Sequence, residues 1–226
     1  MPTVLITGCN RGLGLEFTRQ YLSDGWRVIA TCRDASKADA LSGLDGDLRV
    51  LSMAVDDDAS IAQAAAELKG EAIDVLVCNA GVMGERASLG DLTSADWDVV
   101  LRVNIIAPLI VAQAFIENVA ASDQKKIATV SSKMGSVADN DSGGQYIYRS
   151  SKAGVNAAMR SLAIDLAPRG ISACVLHPGW VRTDMGGPNG LIDPPESVSG
   201  MRSVIASLDS GKAGGFWNYD GSEIPW

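Results

Sequence analysis

The chain has 226 residues, 46% of them hydrophobic, enough for one large domain with a substantial core and too few to suggest a second. Its formal charge of −8, with no run of Lys or Arg to neutralise phosphates, speaks against nucleic acid as a partner. Cys9, Cys32, Cys78 and Cys174 stand singly in apolar surroundings without Cys-x-x-Cys spacing, and read as buried thiols in a reducing compartment rather than as a metal site.

Val4-Leu5-Ile6 opens the chain as a strand with no charged segment before it, and no apolar stretch is read as long enough to span a bilayer. The expectation is a cytoplasmic protein with no membrane partner. Short apolar runs follow at Val28 to Ala30, Val50 to Leu51, Val75 to Val77, Ile127 to Val130 and Ala173 to Leu176. Between them the period becomes helical, over roughly 13 to 24, 35 to 43, 58 to 69, 93 to 121, 146 to 167 and 196 to 208. Strands that are apolar throughout, alternating with helices, predict an α/β fold: a single doubly wound (Rossmann) domain, 1–226, whose mostly parallel sheet is covered by helices on both faces.

Gly8, Gly12 and Gly14 follow the first strand and open the first helix. Without side chains there, backbone N–H groups can approach a pyrophosphate at a helix N-terminus. The spacing is Gly-x-x-x-Gly-x-Gly, and a purely structural tight turn explains it equally well on its own. About twenty residues on, where an NAD site carries Asp or Glu for the ribose hydroxyls, this chain has Arg33. With Arg11 inside the loop, two guanidiniums would suit a 2′-phosphate, which predicts NADP(H) over NAD(H).

Asn104 lies in a predicted helix, where Asn is a poor helix former, so it either faces solvent, bonds back to a carbonyl or has a purpose. Ser131 and Ser132 end the fifth strand. Tyr148 and Lys152 stand at i and i+4 on one helix face, where the cation can bring the tyrosine's ionised form within reach; Tyr146 points off that face. His177 reads as a packed strand-end residue, and no metal site is expected. The Gly- and Pro-rich stretch from Gly186 through Pro195 reads as a mobile loop at the sheet's carboxyl edge, within a substrate loop expected at 185–200.

Taken together, these residues resemble the short-chain dehydrogenase/reductase family over essentially the whole chain. Thr7 to Gly14 resembles its cofactor loop, and Cys78-Asn79-Ala80-Gly81 the segment after its fourth strand. Asn104, Ser132, Tyr148 and Lys152 match its catalytic tetrad in order, and Pro178-Gly179 with Thr183 the turn that contacts the nicotinamide carboxamide and phosphate. Within the family, the opening and the closing Tyr219 to Trp226 look most similar to C-factor and sniffer-type carbonyl reductases. The resemblance implies that Tyr148 donates a proton and Ser132 bonds the carbonyl oxygen. It implies that Lys152 binds ribose hydroxyls and that Asn104 holds a relay water. Cofactor contacts are implied at Gly8, Asn10, Arg11, Gly12, Leu13, Gly14, Arg33, Val55, Asn79, Ala80, Gly81, Lys152, Pro178, Gly179, Val181 and Thr183.

The chain departs from the family pattern at Cys78, in place of Asn, and at Ala54, in place of an Asp near the adenine. The interval from Ser132 to Tyr148 is longer than is common, and the loop from Gly135 to Gln145 that absorbs it is expected to border the substrate. Met134, Met185, Leu191 and Ile192 are expected to give that site an apolar rim, and the substrate to be a small carbonyl or alcohol. A cofactor-binding signalling protein of the same fold is the alternative. Small residues on the helix after Tyr148 suit either a homodimer or homotetramer contact, as in the family, or packing within one subunit.

Overall fold

The computed structural model describes residues 1–85 and 87–226. Seven strands form one parallel sheet in the order β3-β2-β1-β4-β5-β6-β7. They are β1 (Thr3–Thr7), β2 (Arg27–Cys32), β3 (Leu48–Ser52), β4 (Val75–Cys78), β5 (Lys126–Val130), β6 (Ser172–His177) and β7 (Phe216–Asn218). Helices α1 (Gly12–Ser23), α2 (Asp39–Ser42), α3 (Asp58–Glu67), α4 (Ser94–Leu101), α5 (Ala107–Ala120), α6 (Tyr146–Leu166) and α7 (Pro194–Ala206) connect and cover them.

The apolar strands sort their side chains by parity onto two covered faces. Leu5, Ile29, Leu76, Ile127 and Val175 face one way, onto Ile61 of α3, Phe115 of α5 and Val155 and Met159 of α6. Their neighbours Ile6, Val28, Val77, Ala128 and Leu176 face Phe17 of α1 and Val198 and Met201 of α7. Both faces are dry, which is why the runs are apolar throughout rather than alternating. Between β2 and β4, strand order reverses about β1, so a crevice opens at the carboxyl ends of β1 and β4.

Three details differ from expectation. The segment expected as a helix over 35 to 43 is a 3-10 turn at Ala35–Lys37 followed by the short α2. β7 is an additional strand, three residues long, too short to carry a periodic signal. The helix expected over 93 to 121 is interrupted by a π-helical turn at Arg102–Ile106.

That helical run also corrects the reading that no stretch could span a bilayer: Ser94–Ala120 is long and apolar enough to do so by length and composition. Its hydropathy has a local cause. Val111, Ala112, Phe115 and Val119 are buried against the sheet, while apolar Val99 and Ile106 occupy outer positions. The cysteines are all free and buried, and loss of hydration pushes the thiols of Cys9, Cys78 and Cys174 up to about 12.

Candidate active site

At the crevice, the glycine turn after β1 is tied to the segment after β4. Thr7 Oγ1 accepts from the amides of Asn79 and Ala80 at 3.0 and 2.9 Å. Asn79 Nδ2 in turn donates to the carbonyls of Thr7 and Gly8 at 2.9 and 3.3 Å. A Cβ on Gly14 would run into the Gly8 carbonyl oxygen, so the turn closes this tightly only without one. Gly12, at φ +54, faces open space, the one atom of the described residues within 4 Å of a Cβ there being the Thr183 methyl at 3.9 Å. The N-cap of α1, Arg11, supplies no side-chain hydrogen bond, and the first turn holds no acidic residue. Open room at Gly12 and uncapped helix amides make a cradle that fits the pyrophosphate of a dinucleotide.

Around this cradle, Asn10 is exposed and Leu13 reaches the neighbouring cleft. Val55 packs on the core and shares a small gap with Thr7, Cys78 and Ala80. Arg33 stands exposed just past β2. Arg11 Nη1 reaches Asp184 Oδ2 at 3.4 Å, in the loop after β6, rather than a contact at the Arg33 corner.

The tetrad residues arrive on three supports. Ser132 follows β5, where its Oγ accepts from the Met134 amide at 3.2 Å. Tyr148 and Lys152 occupy the first turns of α6, both buried, with Lys152 Nζ 5.6 Å from the Tyr148 ring centroid. Lys152 Nζ donates to the Val130 carbonyl at 3.2 Å. Gly81 lies beneath: a Cβ there would stand 3.4 Å from Asn104 Oδ1 and 3.5 Å from Lys152 Nζ.

Asn104 is buried inside the π-helical turn, neither facing solvent nor bonding back along its helix. Its Oδ1 accepts from the Val82 amide at 2.9 Å, and its Nδ2 donates to the Val82 carbonyl at 2.8 Å and to Ser151 Oγ at 3.0 Å. One side chain thus ties the segment after β4 to α6, and π turns of this kind recur at functional sites.

The electrostatics correct one expectation. Burial pushes the Tyr148 hydroxyl up to about 12, against a smaller downward pull from a hydrogen bond with Ser132. Burial lowers Lys152 to about 8. Each group has lost the water that would stabilise its charge, and the ammonium lies against a carbonyl, so it does not bring the phenolate within reach. Burial therefore holds Tyr148 protonated.

Tyr148 and Ser132 open into a cleft of about 550 Å³ that also receives Pro178, Gly179, Val181 and Thr183 from the turn after β6. Of the expected apolar rim, Met134 and Met185 line it. Leu191 is exposed instead, and Ile192 packs towards Gly179. Met83, Arg149 and Trp180 line it as well, and none was anticipated. Trp180 had a signal, an aromatic directly after Pro178-Gly179; the others depend on side-chain direction. His177 lies at the cleft edge, lowered to about 4 chiefly by burial and hence neutral, with no hydrogen-bond partner for Nδ1 among the described residues.

The loop expected to be mobile is stitched down. Leu191 N donates to the Trp180 carbonyl at 2.7 Å and Arg182 N to the Ile192 carbonyl at 2.9 Å. Arg182 also reaches Asp193 Oδ1 and the Gly190 carbonyl, both at 2.6 Å. From Pro194 onward the segment expected as loop is α7, with proline at the helix start, where its missing N–H costs nothing.

The model of the family described as "short chain dehydrogenase" matches residues 2–190. The C-signal of Myxococcus xanthus is 45% identical over 154 residues, covering 68% of this chain and 93% of that protein. Among solved structures, the carbonyl reductase Sniffer of D. melanogaster superposes with a TM-score of 0.93 at 32% identity, covering all of both chains. The NADPH-bound carbonyl reductase from chicken fatty liver gives 0.91 at 35% identity, over 100% of this chain and 99% of that one.

Proposed function

Because the chain belongs to the short-chain dehydrogenase family, we propose that it is an oxidoreductase transferring hydride between NADP(H) and a small carbonyl or alcohol substrate. The observation that carries this reading is that Ser132 and Tyr148 line a cleft large enough for a small organic molecule, with Lys152 Nζ 5.6 Å from the Tyr148 ring and Leu13 of the glycine turn on the same cleft. The bound nicotinamide would supply or accept the hydride.

The amides around Gly8, Gly12, Leu13 and Gly14 would hold the pyrophosphate. Asn10 would border it, with Arg11 and Arg33 toward a 2′-phosphate and Val55 against the adenine. Asn79, Ala80 and Gly81, the first two bonded to the glycine turn, would border the cofactor. Pro178, Gly179, Val181 and Thr183 would hold the nicotinamide end, and Lys152 the ribose hydroxyls. In carbonyl reduction, Ser132 hydrogen-bonds the carbonyl oxygen and stabilises the charge that develops on it, and Tyr148 delivers the proton. Asn104 keeps the segment after β4 at its distance from α6 and borders the path by which Lys152 would exchange protons with a held water.

Met83, Met134, Met185 and Trp180 give apolar surface to a cleft that Lys133, Asp139, Asp141 and Arg149 also line, and that surface is the ground for proposing apolar or aromatic carbonyls over charged sugars. The reduced thiols fit a cytoplasmic setting, and a homodimer or homotetramer is the assembly the family suggests. The likeness to a protein named C-signal favours a second reading, a cofactor-binding signalling protein with incidental catalysis. All four tetrad residues are present, and a pure binding module has no need of a buried tyrosine beside a buried lysine, which gives the enzyme the greater weight.

Tyr148→Phe removes one hydroxyl from a buried ring. Turnover should fall by at least about 10²-fold, the usual worth of a general acid, with NADPH affinity nearly unchanged by fluorescence titration. Retained turnover would refute the assignment.

A further inference from the structure

Arg149, next to Tyr148 in the first turn of α6, is not a residue the tetrad requires. Its guanidinium donates from Nη1 to the Met134 carbonyl at 3.4 Å, from Nε to the Gly143 carbonyl at 3.2 Å and from Nη2 to Ser142 Oγ at 2.8 Å. One side chain therefore gathers both ends of the segment that runs from the Ser132 turn to the start of α6. Met134, Asp141 and Ser142 of that segment line the same cleft as Tyr148.

We propose that Arg149 is a positioning residue that holds residues 134–145 as the wall of the carbonyl-binding cleft, and so sets substrate affinity; this rests on the oxidoreductase reading. Besides Arg149, the Gly143 amide donating to Asn140 Oδ1 at 3.1 Å holds the segment's far end among the described residues. Gly143, Gly144 and Gln145 are consecutively left-handed, at φ 63, 64 and 49, a conformation that costs Gln145 steric strain. Its middle is held by an exposed Lys133–Asp139 ion pair at 3.0 Å and by the Ala138 amide donating to the Trp226 carbonyl at 3.0 Å.

A cation in the first turn of a helix works against the helix dipole, and Arg149 makes no ion pair among the described residues. All three of its acceptors are neutral. The charge is thus not placed to cancel another; what the site uses is the planar fork, whose donors on three nitrogens reach three separated acceptors in fixed directions, where an ammonium's three donors all radiate from one nitrogen.

The test compares the full-length chain with Arg149→Met, Arg149→Lys and Ser142→Ala, by hydrogen exchange and by steady-state kinetics on a reactive aromatic aldehyde. Arg149→Met should speed exchange at the Asp139 and Gly143 amides by about tenfold while the sheet amides hold. KM should rise about tenfold, with a smaller change in kcat. Arg149→Lys should restore only part of both effects. Ser142→Ala, on the exposed loop, should move both readouts the same way by about threefold, and this decides the matter if Arg149→Met does not fold. Unchanged exchange in the folded variants overturns the proposal, as does a fall in kcat at constant KM. If the parent chain turns over no carbonyl at all, the oxidoreductase reading fails, while the exchange result still decides whether Arg149 holds the wall.

Discussion

Tyr148 and Lys152 illustrate how burial and spacing divide the work at the site. Their i, i+4 spacing, legible in the sequence, puts both on one face of α6; their burial, which is not legible, pushes one up and the other down. The consequence for pH has a definite sign. Lys152 is cationic below about 8 and loses its charge above, while Tyr148 keeps its proton until about 12. A reduction that needs the phenol protonated and Lys152 cationic to hold the ribose hydroxyls should show kcat/KM flat on the acid side and declining as pH rises through about 8, measured from about pH 6 to about 10. A decline on the acid side instead would contradict it. Arg33 is the residue on which the proposed NADP(H) preference turns. A charge-assisted bond to a 2′-phosphate is worth about 1.5–3 kcal/mol, so Arg33→Asp should shift the NADPH/NADH preference in kcat/KM by roughly 10- to 100-fold toward NADH. An unchanged ratio would remove Arg33 from the cofactor site, leaving its exposed position without a role.

Among the elements, continuous apolar runs made six strands legible, because both faces of a parallel sheet are dry. What escaped was whatever leaves the apolar period unaltered. The π turn at Arg102–Ile106 keeps the sequence helical while changing where Asn104 points, so Asn104 stood out as ill-suited to a helix without revealing its bonds to Val82 and Ser151. The 3-10 turn at Lys133–Gly135 is another such element: it rests on α6 so closely that a Cβ on Gly135 would come within 2.6 Å of the Lys152 carbonyl carbon and 2.9 Å of Asn156 Nδ2. Those are backbone and buried atoms that cannot swing aside. Gly135→Ala should cost about 1–3 kcal/mol by overpacking, read as a lower Tm. Because the strain falls between Ser132 and Tyr148, turnover at a temperature where the variant is folded should also drop; a lower Tm with full turnover would show that the turn and α6 shift together.

Over the whole molecule, the reversal of strand order about β1 assembles a site from residues far apart in the chain. The glycine turn, the segment after β4, the Ser132 turn and the turn after β6 meet at one sheet edge because parallel strands all present their carboxyl ends there. That much follows from the α/β alternation; which side chains there would act as a tetrad is what the family resemblance implies. The cleft could not be read in advance. Met83, Arg149 and Trp180 come from loops and a helix start whose side-chain directions depend on the folded chain, and the loop over 185–193 is held by bonds to Trp180 and Arg182 that composition does not announce. Packing also accounts for one of the small residues of α6, since Gly154 abuts Ile105 of the same subunit.

The most direct test of the central claim is the absorbance-followed oxidation of NADPH, with NADH in parallel, by the purified chain against simple aldehydes, ketones and diones. Turnover is expected, faster with NADPH than with NADH. Tight NADPH binding with no turnover on any carbonyl would contradict the claim and transfer the weight to the signalling reading.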